Sequence, residues 1–307
     1  MGAKMVENLS KDGREIIVYD ANQSAIDKVL LTAKNTNKSV TTLTLEEMSQ
    51  KCSIIFSMLP NDKVVESVST KLIEGNKNNQ GKHSFMHISC STISPSSARR
   101  FAEIHTASGN ELVTAPVFAR PDGIAKRQAT WMLGGAEPSR HTAAALLSSL
   151  GNIVDMGDDV GAANVVKLCG NFLIATSIES IGEAMALAEK NGVDRERVMG
   201  ILSSSIFDCL IYKGYGQRVS QRDHRPGGFS LELGLKDVSL VSQAARESDT
   251  PMPFLSVLLD RYVSTKAKGR AELDWSAIGL DIAETAGIDV TADVNRNIKD
   301  VKEGNMY

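Results

Sequence analysis

Six short β-branched runs, at 15–19, 53–58, 84–88, 111–113, 130–134 and 153–156, punctuate the first half of the chain, with helical stretches between them. That alternation restricts this half to a parallel sheet with crossover helices, because parallel neighbours cannot be joined by a tight hairpin. The run Ser53-Ile54-Ile55-Phe56-Ser57-Met58-Leu59-Pro60 is apolar on both faces and ends in proline. A buried parallel strand that feeds a loop has this pattern. The loop would lie at the carboxyl end of a strand, where open α/β sheets bind ligands.

After Gly161 the strand-like runs cease. Residues 162–191 contain no proline and are rich in Ala, Leu, Ile and Glu, which predicts one helix long enough to link or span domains. Gly192 is its natural stop, and Asp194-Arg195-Glu196 reads as the cap and first turn of the next helix. Further helices are expected at about 194–204, 230–247 and 252–268, with loops at 222–228 and 250–253. The expected architecture is a doubly wound α/β domain with a parallel sheet over 1–158 and an all-helical domain over 159–288, joined by the long helix. A polar, loosely held tail is expected over 289–307. At 307 residues each domain can bury its own core.

A formal charge of −3 gives no reason to expect nucleic acid or an anionic membrane as partner, so a small molecule is the expected ligand. Cys52, Cys90, Cys169 and Cys209 form no C-x-x-C pair, which fits reduced thiols in a cytoplasmic compartment. No apolar run approaches the roughly 18 residues that span a bilayer, and no signal sequence opens the chain. Organelle targeting stays open, because MGAKMVENLSKDGREIIVYD begins inside an amphipathic helix. Met1, Met5 and Leu9 recur at four-residue spacing, and the helix stops at Lys11-Asp12-Gly13.

Several motifs carry possible chemistry. Asp20 follows the first strand, 18 residues after Gly2. An acidic residue at such a strand end accepts hydrogen bonds from an adenosine ribose and repels a 2′-phosphate, although it is equally a turn residue. Ser89-Cys90-Ser91-Thr92-Ile93-Ser94-Pro95 sets hydroxyls before a helix start, either to hold a ligand or as a capping loop. GAANVVKLCGN puts Lys167 and Asn171 four apart on one helix face amid apolar residues. A half-buried lysine there can donate or accept a proton, or simply snorkel from a domain seam. Lys236, beside Asp237, is either a surface charge or a cofactor contact. The glycine-bracketed stretch 75–83 lacks phosphate-loop spacing and reads as a polar surface loop. The five histidines form no short-spaced ligand pair, so no metal centre is expected.

Six motifs in sequence order, MGAKMVENL, SMLPND, SCSTISP, TAPV with WMLGG, GAANVVKLCGN and LGLKDVSL, together resemble the β-hydroxyacid dehydrogenases, relatives of 6-phosphogluconate dehydrogenase. The resemblance spans residues 1 to about 278 and implies a Rossmann-like α/β domain joined through a long helix to an all-helical domain. It implies an NAD(P)-dependent oxidoreductase that interconverts a hydroxyl and a carbonyl on a small 3-hydroxy acid or aldehyde acid. NAD is favoured by Asp20, with NADP possible. By match to the family's motifs, Lys167 is the catalytic lysine and Asn171 the amide beside the substrate. Gly2, Asp20, Leu59, Pro60, Thr92 and Lys236 would contact the cofactor, and Ser91 the substrate. A homodimer or homotetramer formed through the second domain is also implied.

The chain departs from the family pattern twice. Met1-Gly2 matches only the end of a G-x-G-x-M-G loop, so the first strand and two glycines are expected to be missing, as in a truncated gene model, with weakened cofactor binding. After Ala115-Pro116-Val117, where most members continue Ser-Gly-Gly and hold the substrate carboxylate, this chain has Phe118-Ala119-Arg120. Arg120 can hold an anion bidentately, and Phe118 either reshapes the pocket or packs. Two rivals remain: a catalytically impaired scaffold protein, favoured by the incomplete loop, and an imine reductase, whose lysine is usually replaced.

Overall fold

The computed structural model describes residues 1–35, 39–77 and 84–302. The chain divides into two units, Met1–Lys167 and Leu168–Tyr307. In the first, helix α1 (Gly2–Lys11) leads to β1 (Ile16–Val18), α2 (Gln23–Asn35), β2 (Val40–Thr42), α3 (Leu45–Lys51), β3 (Ile54–Ser57) and α4 (Asp62–Lys77). Then follow β4 (Met86–Ser89), α5 (Pro95–Ala107), β5 (Glu111–Thr114), β6 (Val117–Phe118), α6 (Pro121–Ala125), β7 (Ala129–Leu133), α7 (Glu137–Leu147) and β8 (Gly151–Asp155). Gly13, at φ +77°, takes the left-handed conformation that ends α1 where the sequence places its stop.

Strands β3, β4 and β5 form a parallel ladder, β1 pairs in parallel with β2, and β7 pairs in parallel with β8 and antiparallel with β6. An antiparallel bridge between Thr114 and Gly134 ties β5 to β7. Helices α1, α6 and α7 cover one face, where Met5, Leu9, Ile124 and Leu147 pack with Ile88, Val113 and Trp131. Helices α3, α4 and α5 cover the other through Met48, Leu72, Val65 and Phe101. Alternate residues of one strand therefore enter different clusters, Val113 on one face and Leu112 on the other, as the two-residue period requires.

Among the described residues no ladder joins β1 to β3. Their side chains nevertheless share both faces: Ile16 and Ile54 border the α1-side cluster, and Ile17 and Ile55 meet in the opposite one. The β1–β2 and β3–β4–β5 ladders thus share both covering clusters, with no hydrogen bonding between β1 and β3 among the described residues. For the same reason β3 is only alternately buried, with Ile54 and Phe56 partly exposed, instead of buried on both faces as its sequence predicts. A strand with a ladder on one side leaves its other side less covered.

Helix α8 (Ala162–Lys190) starts in the first unit and continues as the first helix of the second. There follow α9 (Arg195–Ser203), α10 (Leu210–Gln221), α11 (Leu231–Glu247), α12 (Pro253–Ala267), α13 (Ile278–Thr285) and α14 (Thr291–Lys302). Leu168, Ala175, Ile178, Ile181 and Met185 of α8 form a stripe against Leu231, Val238, Leu258, Tyr262 and Trp275. Asp194 caps α9 as its sequence suggests, its Oδ1 accepting from the Arg197 amide at 2.7 Å. At Gly234 a Cβ would stand 2.6 Å from Tyr262 Cε1, so α11 and α12 approach closely.

Three expectations need correction. The tail over 289–307 is instead helical through Lys302, and α14 is anchored. Buried Asn297 donates to the Arg222 carbonyl at 2.9 Å and accepts from the His224 amide, while Arg222 pairs with Asp293 at 3.2 Å. Polarity misled there because the polar groups find partners. Residues 75–77 of the expected loop belong to α4, where a Cβ on Gly75 would meet Glu46 Cα at 2.8 Å; residues 78–83 lie outside the described residues. Finally, α8 is by length and composition apolar enough to cross a bilayer, with a window of mean hydropathy 1.3, although none was expected. A core helix passes the same test, and α8 carries a buried stripe packed against other helices. The unit boundary at Lys167 places GAANVVK with the first unit.

Candidate active site

The loops that leave β3 and β4 at their carboxyl ends are locked together. The Leu59 amide donates to Ser91 Oγ at 2.8 Å, and Ser91 is buried. One turn on, the Ser94 amide and hydroxyl both donate to Asp62 Oδ2, at 3.1 and 2.8 Å. Ser94 also caps α5 by accepting from the Ser97 amide, with Pro95 at the first helical position. The SCSTISP segment thus divides its labour: Ser94 is the cap, Ser91 is the latch, and Thr92 lies half-buried between them. Pro60 is exposed at the loop's edge.

Asn164, on the first turn of α8, accepts from the Ile93 amide at 3.3 Å and so ties the β4 loop to the helix that carries Lys167. Sequence reasoning missed Asn164; its only signal was its place one turn before Lys167. Lys167 is half-buried, and its Nζ lies 4.6 Å from the centroid of the Phe118 ring. Phe118 therefore does more than pack. Arg120 sits at the amino end of the short helix α6 in extended backbone, and its carbonyl accepts from the Ile124 amide at 3.2 Å.

In the second unit, buried Asn171 donates through Nδ2 to Asp237 Oδ2 at 2.5 Å. Asp237 is itself buried, and its Oδ1 pairs with Lys236 Nζ at 2.5 Å. Lys236 is not a simple surface charge: it neutralises a buried carboxylate that also orients Asn171. Asp237 went unrecognised as a site residue, although it stands inside LGLKDVSL.

Gly2 opens α1, whose first turn has no side-chain cap and no acidic residue, so its amide groups favour an anion. Asp20 is exposed beyond β1, and its Oδ1 accepts from the Asn22 amide at 2.8 Å, which realises the turn reading. Ser89 Oγ and Asn164 Nδ2 are buried without a hydrogen-bond partner among the described residues. Orphaned buried polar atoms at the end of β4 and on the first turn of α8, together with the uncapped start of α1 and the carboxylate after β1, are groups that fit a polar dinucleotide.

Beneath the loops lies a buried histidine pair that spacing did not reveal. His105 Nδ1 faces the Phe101 carbonyl at 2.7 Å, which can only accept, so this nitrogen carries the proton. His105 Nε2 then accepts from His87 Nδ1 at 3.1 Å, and His87 Nε2 accepts from Ser57 Oγ at 2.7 Å. Burial, with the neighbouring His105, holds His87 well below the usual imidazole range, and burial lowers His105 too. Both are neutral wedges that fix the last residue of β3.

Residues 1–161 match the family described as the NAD binding domain of 6-phosphogluconate dehydrogenase, and residues 161–279 that of the NAD-binding of NADP-dependent 3-hydroxyisobutyrate dehydrogenase. The mitochondrial 3-hydroxyisobutyrate dehydrogenase of Drosophila melanogaster is 30% identical over 285 residues, covering 91% of this chain and 85% of that protein. The NAD-dependent L-serine dehydrogenase of Pseudomonas aeruginosa is also 30% identical over 285 residues, covering 91% and 93%. Among solved structures, Mycobacterium tuberculosis 3-hydroxyisobutyrate dehydrogenase with L-serine superposes at a TM-score of 0.79 and 25% identity, covering 92% of this chain and 95% of that one. With both halves matched by the family models and the relatives at 30% identity covering 91% of it, the chain belongs to the β-hydroxyacid dehydrogenase family, the family of 3-hydroxyisobutyrate dehydrogenase.

Proposed function

We propose that this protein is an NAD(P)-dependent dehydrogenase that interconverts a hydroxyl and a carbonyl on a small 3-hydroxy acid, with Lys167 as the proton donor in reduction and acceptor in oxidation. The observation that carries it is the half-buried Lys167 ammonium on α8, one turn after Asn164 and one turn before Asn171. The relatives' named substrates, 3-hydroxyisobutyrate and L-serine, support a short hydroxy acid.

The bound dinucleotide supplies or accepts the hydride. The amide groups that open α1 at Gly2 suit its pyrophosphate, and Asp20 suits an adenosine ribose while repelling a 2′-phosphate, which favours NAD. Leu59, Pro60 and Thr92 belong to the latched loops that would cover it, and Lys236 is a further candidate for contact with it by its match to the family's motif. In reduction, Lys167 Nζ gives its proton to the carbonyl oxygen as that oxygen gains charge. Asn171, held through Nδ2 by Asp237, keeps its Oδ1 directed as an acceptor for a substrate hydroxyl. Ser91 and Arg120 are the candidate contacts for the substrate's carboxylate.

Replacing Lys167 by Ala tests the reading: turnover falls by about a hundredfold or more, the usual scale for a general acid or base, while NADH binding followed by fluorescence is retained. Near-normal turnover overturns it, and absent NADH binding by the parent chain favours the scaffold alternative.

We extend the proposal to assembly and location. Leu173 and Leu187 on α8 and Phe254 and Val257 on α12 are exposed apolar side chains, which favours a second copy of the chain as their partner. Light scattering of the parent and of Leu187→Asp tests this, a monomeric parent overturning it. Four free thiols favour a reducing, cytosolic compartment, which subcellular fractionation checks.

A further inference from the structure

The ring of Phe118 faces the lysine on which the proposed chemistry turns. Its position is determined by the strand. Val117 points into the core against Trp131, so Phe118, the next residue of β6, points to the other side, with its backbone held by pairing to Thr130. Lys167 Nζ lies 4.6 Å from the ring centroid, inside the range at which the negative face of an aromatic ring attracts a cation. The lysine side chain has four rotatable bonds, and the attraction narrows its positions while acting only on the charged form.

Resting on the assignment of Lys167 as the proton donor, we propose that Phe118 is a positioning residue. Its ring holds the Lys167 ammonium at the point from which the proton is delivered. In the reduction, the hydride from the reduced nicotinamide forms the new C–H bond and the carbonyl π pair moves to oxygen. That oxygen takes the proton from Nζ, and the N–H bond breaks to leave a neutral amine. The neutral amine has lost its cation–π attraction to the ring and recovers a proton from solvent. The ring thus acts on Lys167 in one protonation state and releases it in the other. A Ser or Gly at this position has no such hold on the lysine.

The test compares Phe118→Leu and Phe118→Met, which keep apolar bulk, with Phe118→Tyr and Phe118→Trp, which keep a ring. Each is assayed for kcat and KM in the reductive direction with NADH and a 3-oxo acid, alongside NADH fluorescence and a melting curve. Leu and Met are expected to lose on the order of fivefold in kcat with KM little changed, the scale of a partly buried cation–π contact, while Tyr and Trp stay near the parent. In the Lys167→Ala background the Leu exchange has no further effect on kcat. Parent-like kcat in both Leu and Met, with Lys167→Ala inactive, overturns the role of Phe118 and leaves that of Lys167 standing. Equal losses in all four variants, or a change confined to KM, also overturn it, since bulk or substrate contact then explains the residue. An active Lys167→Ala instead removes the assignment beneath it. If Phe118→Leu does not fold, Phe118→Met and the two ring-bearing variants decide.

Discussion

The Ser91 hydroxyl accepts the Leu59 amide at 2.8 Å, so the loop after β4 holds the loop after β3. The two loops that end neighbouring strands are joined to each other, and the Asn164 contact to Ile93 joins them to α8. Ser91→Ala removes the acceptor and leaves the Leu59 amide unpaired. A rise of several-fold in KM for the dinucleotide is expected, with a stability loss of about 1 kcal/mol, the net worth of one such bond. Steady-state kinetics and urea unfolding check it; an unchanged KM shows that the latch does not shape the cofactor loop.

Asp20 is exposed at the end of β1, with one oxygen engaged by the Asn22 amide. Replacement by Arg exchanges repulsion of a 2′-phosphate for bidentate attraction. The ratio of kcat/KM for NADPH over NADH is expected to rise by about tenfold or more, roughly the effect of 1.4 kcal/mol. An unmoved ratio separates Asp20 from the cofactor.

His87 and His105 are buried and neutral, with folded-state affinities for protons below those of the unfolded chain. His224, in the second unit, is lowered to about 3, mainly by burial. The unfolded chain binds more protons once the pH drops below the ordinary imidazole value of about 6.5, so stability is full above that value and declines beneath it. Each histidine contributes up to about 1.4 kcal/mol per pH unit in that window. Urea midpoints at pH 7.5, 6.5 and 5.5 read the decline before carboxylates titrate; equal midpoints contradict it.

Asn297 closes α14 onto the end of α10 by bonding both Arg222 and His224 backbones. Asn297→Ala strands the buried His224 amide and leaves the Arg222 carbonyl only its bond from Arg296, and a loss of about 2 kcal/mol is expected. Limited proteolysis near the carboxyl end should accelerate, and resistance equal to the parent's shows α14 to be held elsewhere.

Where a segment's own pattern dictates its environment, the sequence was enough. β3 is a run of large apolar side chains that cannot remain in water, β4 and β5 carry Met, Ile, Leu and Val beside polar residues in short strand-forming runs, and α8 carries its apolar stripe at helical spacing, so all are legible without a partner. Lys167 and Asn171 were legible because one helix sets their spacing. Strands β2 and β6 were not, since Val40–Thr42 and Val117–Phe118 are too short for a period and exist through the ladders they join. Helix α10 was hidden by glycines and tyrosines in place of a clean apolar stripe, and α14 by polar residues whose partners lie some seventy positions away.

The sequence by itself determined the α/β half, the helical half, the family and the helix that bears the lysine, because these follow from local periodicity and motif order. Only the tertiary structure decided that Phe118 faces Lys167, that Asp237 orients Asn171, that Asn164 anchors the β4 loop and that two histidines pair beneath it. Those relationships join residues 18 to 71 positions apart, and no period or local propensity encodes a distance set by the packing of separate elements.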